Sequence, residues 1–72
     1  MTETITLKGD YITLGQLLKE AGVIDTGGMA KMFLAEYLVY VNGEEENRRG
    51  RKLYDQDTVS IPDVGEFIVS VD

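Results

Sequence analysis

Four basic side chains fall within five positions at Arg48, Arg49, Arg51 and Lys52, interrupted only by Gly50. Arginine carries a planar fork of N–H donors that matches a phosphate bidentately, while lysine offers a compact point charge. Ion pairing is a poor reason for such a density, because an exposed pair contributes only about 0–1 kcal/mol. The cluster therefore suits a phosphate backbone. The competing reading is a solvated loop that neutralises the Glu44-Glu45-Glu46 run just before it. Tyr40 and Tyr54 flank the cluster and carry rings on which a base can stack, although such rings more often pack against a sheet.

Gly27-Gly28, with Lys31 one turn further on, is a second candidate. At a helix start the unpaired N–H groups and the dipole favour an anion, and glycine lets a phosphate approach the backbone. The spacing matches neither a Walker loop nor a dinucleotide fingerprint. A tight junction, where side chains would collide, accounts for the same glycines. Met29 and Met32 stand off the apolar stripe of that helix, which suits contact with a partner protein or gap-filling in the core.

Catalysis finds little material. The chain has no cysteine and no histidine, so thiolate chemistry, disulfides and the usual zinc ligand sets are excluded. The serines, Ser60 and Ser70, both fall in expected strands, and no nucleophile has a matched base. Glu44-Glu45-Glu46 follows a turn and is expected to be a solvated hairpin tip with ordinary carboxylates, since hard cations need oxygens spaced around a loop. The expectation is a protein that is not an enzyme, with no cofactor and no metal.

Charge narrows the partners. Seven basic against thirteen acidic residues give a net charge of −6. Residues 47–53 hold four of the basic groups and no acid, so the rest of the chain is strongly anionic. That balance opposes diffuse polyanion binding but permits one focused contact. No run approaches the ~20 apolar residues of a membrane span. The acidic start of the chain, Met1 to Ile5, lacks the basic and apolar regions of a signal peptide, so a cytoplasmic protein without membrane contact is expected.

The elements that must position these groups can be read from periodicity. Thr4–Lys8 alternates as a strand, with Ile5 and Leu7 on one face. Thr13 and Gln16 fit a capping box, and Leu14, Leu17, Leu18 and Ala21 form one stripe of a helix ending near Gly22. Gly15 costs that helix about 1 kcal/mol relative to alanine. Asp25 or Thr26 can cap a second helix carrying Ala30, Phe33, Leu34 and Tyr37. Leu38–Val41 is an expected strand closed by Asn42-Gly43, the dipeptide suited to positive φ. Leu53-Tyr54 suits a bridge or short strand, and Thr58–Ile61 and Phe67–Val71 suit strands around a turn at Pro62–Gly65. Seventy-two residues allow one domain, spanning 1–72, of α+β class: two short packed helices with an antiparallel sheet.

In this order the segments resemble a known family. Ile12 to Leu18, Gly27-Gly28-Met29-Ala30-Lys31, Val39-Tyr40-Val41-Asn42-Gly43 and Asn47 to Tyr54 together are similar to the S4 RNA-binding domain, with its alpha-L motif. The S4 pattern covers about residues 12–61, and nearly the whole chain resembles the YaaA family of stand-alone S4-like proteins. The resemblance implies binding to structured RNA, such as ribosomal RNA or ribosomal particles, and a part in ribosome biogenesis. Carried over by position, it implicates Gly27, Gly28, Lys31, Arg48, Arg49, Arg51 and Lys52. Thr13 stands where S4 sequences usually have arginine, and Thr26-Gly27 stands where they have Ser-Arg. Asp57 keeps the aspartate of the usual Gly-Asp turn, but Gln56 replaces its glycine. The resemblance thus implies a contact shifted from the helices to the β-loop. A protein-interaction adaptor that keeps the fold without the RNA contact is the alternative.

Overall fold

The computed structural model describes residues 2–72, and Met1 lies outside them. Helix α1 (Leu14–Glu20) begins with both halves of the capping box in place. The Gln16 N–H donates to Thr13 Oγ1 at 3.3 Å, and the Thr13 N–H donates to Gln16 Oε1 at 3.0 Å. The helix closes on Gly22, at φ +78°, with the Gly22 and Val23 amides donating to the Lys19 and Leu18 carbonyls. Leu14, Leu17 and Leu18 face the core and are fully buried.

The second helical segment is less regular than its spacing predicts. Gly27–Met29 forms a 3-10 turn, and α2 proper runs Ala30–Glu36. Thr26 stands at the N-cap of the 3-10 turn, but its side chain makes no capping bond. Seven residues cannot sustain an isolated helix, so α2 depends on burying Ala30 and Leu34 and partly burying Phe33. Met29 and Met32 are exposed, at 45% and 69%.

Among the described residues, seven strands complete the fold: β1 (Thr2–Leu7), β2 (Ile12–Thr13), β3 (Tyr40–Val41), β4 (Glu44–Glu45), β5 (Lys52–Leu53), β6 (Thr58–Ile61) and β7 (Gly65–Val71). The larger sheet has the order β1-β7-β6-β3-β4, and β2 pairs with β5 in a separate two-stranded ladder. The antiparallel expectation holds for every pair except β1 with β7. Those two run parallel, with Ile5 opposite Val69 and Leu7 opposite Val71. The sheet is therefore mixed. Ile5, Leu7, Val59, Ile61, Phe67 and Val69 bury one face of it beneath α1 and α2 in a single core cluster.

Between β3 and β4, Asn42 (φ +51°) and Gly43 (φ +85°) make the tight turn their types predict. The strand expected from Leu38 begins only at Tyr40: Leu38 is exposed, and Val39 keeps one bond in line with the ladder, its carbonyl accepting from the Glu46 amide at 2.8 Å. Asn42 also reaches across the sheet end. It donates to Asp57 Oδ1 at 3.1 Å and accepts from the Thr58 amide at 3.0 Å, tying this turn to the segment after β5. Gln56 there has φ +72°, the conformation for which glycine is favoured.

Candidate nucleic-acid interface

The basic segment between β4 and β5 is fixed by its backbone. The Leu14 and Gly15 amides, free donors at the start of α1, donate to the carbonyls of Arg51 at 2.8 Å and Arg49 at 2.9 Å. Arg51 N–H donates to the Arg48 carbonyl at 3.1 Å, closing a turn over 48–51. β5 then pairs Leu53 with Ile12 and Lys52 with Thr13. The loop is thus clamped to the first turn of α1 through its carbonyls, and its guanidinium groups are left outside.

Gly15 explains how closely the parts meet. A Cβ at this position would lie 3.4 Å from Ala30 Cβ, 3.4 Å from the Arg49 carbonyl oxygen and 3.5 Å from Arg49 Cβ. The glycine that weakens α1 by propensity is therefore the point where α1, the start of α2 and the arginine loop touch. Lys31 follows Ala30 in α2 and is exposed. Gly27 and Gly28 behave otherwise. A Cβ at Gly27 would meet nothing within 4 Å and one at Gly28 only the Thr26 hydroxyl at 3.9 Å, so steric crowding does not account for them.

Glu46 corrects the expectation of a solvated acidic tip. Glu44 and Glu45 are exposed on β4, but Glu46 turns inward and is only 7% exposed. Its carboxylate accepts from Arg48 Nε at 3.0 Å, Arg48 Nη2 at 3.1 Å, the Arg48 backbone amide at 3.1 Å and Arg51 Nη1 at 2.9 Å. Side-chain hydrogen bonding from Arg48 is the main cause of its pKa falling from 4.5 to about 2. Bonds from Arg51 and the Arg48 amide add to that, against the opposing effect of burial. The same contact pushes the Arg48 pKa upward. Arg48 remains largely in solvent and Arg51 is partly so, with side-chain exposures of 71% and 35%. Each keeps guanidinium donors that Glu46 does not use. Residues 46–52 thereby carry a net charge of +3 in a fixed arrangement.

Aromatic rings border this loop. Arg48, Gly50, Arg51, Lys52 and Tyr54 line one open depression. Tyr54 lies against Tyr11, with ring centroids 6.1 Å apart and planes at 53°, and Lys52 Nζ sits 4.9 Å from the Tyr11 ring centroid. Both tyrosines are about half exposed. Tyr40, the other ring expected near the loop, is partly buried in β3. Sequence reasoning missed Tyr11, although pairing Ile12 with Leu53 places it next to Tyr54.

Residues 5–70 match the S4 domain family. A relative from Bacillus subtilis (strain 168), named "Probable ribosome maturation protein RlbA", is 55% identical over 69 residues, which cover 96% of this chain and 97% of the relative. Among the described residues no helix is long and apolar enough to cross a membrane.

Proposed function

The chain belongs to the S4 domain family, and on that premise we propose that it is a non-catalytic RNA-binding protein acting on ribosomal RNA or on assembling ribosomal particles. The ribosomal setting is supported by the name of its Bacillus subtilis relative. The single observation that carries the RNA contact is the anchored loop, which holds Arg48, Arg49, Arg51 and Lys52 on an otherwise acidic chain.

The mechanism is phosphate recognition by a preorganised surface. Glu46 holds the Arg48 guanidinium by two of its donors and the Arg51 guanidinium by one, so little side-chain freedom is lost when their free donors meet phosphates. Arg49 and Lys52 flank them, and Lys31, Gly27 and Gly28 extend the surface from the start of α2. Contacts of this kind fix position and shape on folded RNA rather than read base edges. Anionic surface elsewhere disfavours binding in other orientations. The test is co-sedimentation with purified ribosomal subunits. Wild type is expected to pellet with a subunit, and the Arg48→Ala/Arg49→Ala/Arg51→Ala variant to stay in the supernatant. Equal pelleting of the two would refute the role of the loop.

A second reading has its own observation. Met29 and Met32, three residues apart at the start of the second helical segment, are both exposed, which suits a flexible apolar contact with a protein. If the chain is an adaptor, Met29→Ser/Met32→Ser will abolish association with subunits while the arginine variant leaves it intact.

A further inference from the structure

Two depressions meet at the Tyr11–Tyr54 pair. On the Tyr54 side lie Arg48, Arg51 and Lys52. On the Tyr11 side lies a larger hollow lined by Lys8, Gln16, Lys19 and Glu20. Lys8 and Lys19 are two of only three basic residues outside the loop, and Lys31 is the third. Basic groups thus border both sides of an aromatic ridge on a chain of net charge −6. The ridge is set by register: β2 and β5 pair Ile12 with Leu53, which brings the residues before and after them together.

We infer that this ridge is a stacking platform for one unpaired nucleobase, with the neighbouring phosphates held by the arginine loop on one side and by Lys8 and Lys19 on the other. The inference rests on the RNA-binding reading above and specifies its ligand: RNA with an unpaired nucleotide beside the phosphates the loop grips. A purely paired A-form helix offers no base face to such a ridge, because its bases are stacked inside. Tyr54 supplies the stacking ring. Tyr11 lies beside that ring, and Lys52 over the Tyr11 face keeps a positive charge next to the base, where cation–π attraction and stacking act together. The half exposure of both rings fits this use, since neither is needed to fill the core.

Ultraviolet crosslinking to purified ribosomal RNA, read by mass spectrometry, tests the platform. Nucleotide adducts are expected on Tyr54 or Tyr11, at a nucleotide whose 2′-hydroxyl reactivity in free RNA marks it as unpaired. Tyr54→Ala should weaken binding by roughly 5- to 150-fold, the range for one stacked base, and Tyr54→Phe should restore most of it. Lys8→Ala/Lys19→Ala should make the salt dependence shallower by about 1.5 in log–log slope. Binding with adducts only elsewhere, or unchanged affinity in Tyr54→Ala, would overturn the platform while leaving RNA binding by the loop intact. Absence of binding by wild type would overturn the RNA-binding reading itself, and the platform with it.

Discussion

Glu46 shows how a residue's role can depend on burial that its neighbours do not share. It is the last of three glutamates, and nothing in composition separates it from Glu44 and Glu45. The turn at Asn42-Gly43 sends the chain back along β3, so that Glu46 meets the Val39 carbonyl and faces inward towards Arg48 and Arg51. Its carboxyl pKa is lowered in the fold, so its ionised form stabilises the native state above pH 4.5 and that contribution fades as pH falls towards about 2. Fully converted, such a shift would be some 3 kcal/mol, but the solvent around Arg48 screens it to about 1–2 kcal/mol. Glu46→Gln should therefore lose about 1–2 kcal/mol in urea denaturation at pH 7, and the gap to wild type should largely close near pH 2. A gap that stays constant with pH would rule out the ion-pair account. Legibility at this scale was uneven. Thr13, Gln16, Asn42 and Gly43 act locally as their types predict, whereas Glu46 and Tyr11 owe their roles to partners brought by the fold.

At the scale of elements, the clamp between α1 and the arginine loop is the feature on which the surface depends. Alanine at Gly15 sits at the limit of ordinary contact with Ala30 and Arg49, so gain in helix propensity and local crowding should nearly cancel. A branched side chain cannot be accommodated. Gly15→Val should lower stability by about 1–3 kcal/mol through overpacking. It should also reduce RNA affinity although every charge is retained, which binding and denaturation measured on one preparation will reveal. Asn42→Ala gives the contrasting outcome. It removes the bonds to Asp57 and Thr58 and puts alanine at positive φ, for a loss of about 1–2 kcal/mol, yet it should leave RNA affinity unchanged in the folded protein. The helices and most strands follow from periodicity because their signals are local. The direction of β1 does not: both terminal strands alternate, and only the assembled sheet, with β1 at its edge beside β7, decides that the two lie parallel. Likewise the 3-10 turn at Gly27–Met29, which follows the buried Ile24, is not encoded by helical spacing.

Over the whole molecule, the governing quantity is the contrast between a small basic surface and an anionic remainder. The sequence makes that contrast legible as a run of residues, and the fold turns it into a clamped loop offset by one buried carboxylate and bordered by two tyrosines. Salt dependence of RNA binding measures it directly, because each phosphate contact releases about 0.7–0.9 counterions. The decisive measurement is the affinity of wild type and of Arg48→Ala/Arg49→Ala/Arg51→Ala for purified ribosomal RNA across a salt series. The loop's four basic groups, one of them offset by Glu46, are expected to contribute about −2 to −3 to the log–log slope of the wild-type protein. The variant should lose both affinity and most of that slope. Equal affinity and equal slope in the two proteins, or no binding by wild type at any salt concentration, would contradict the account.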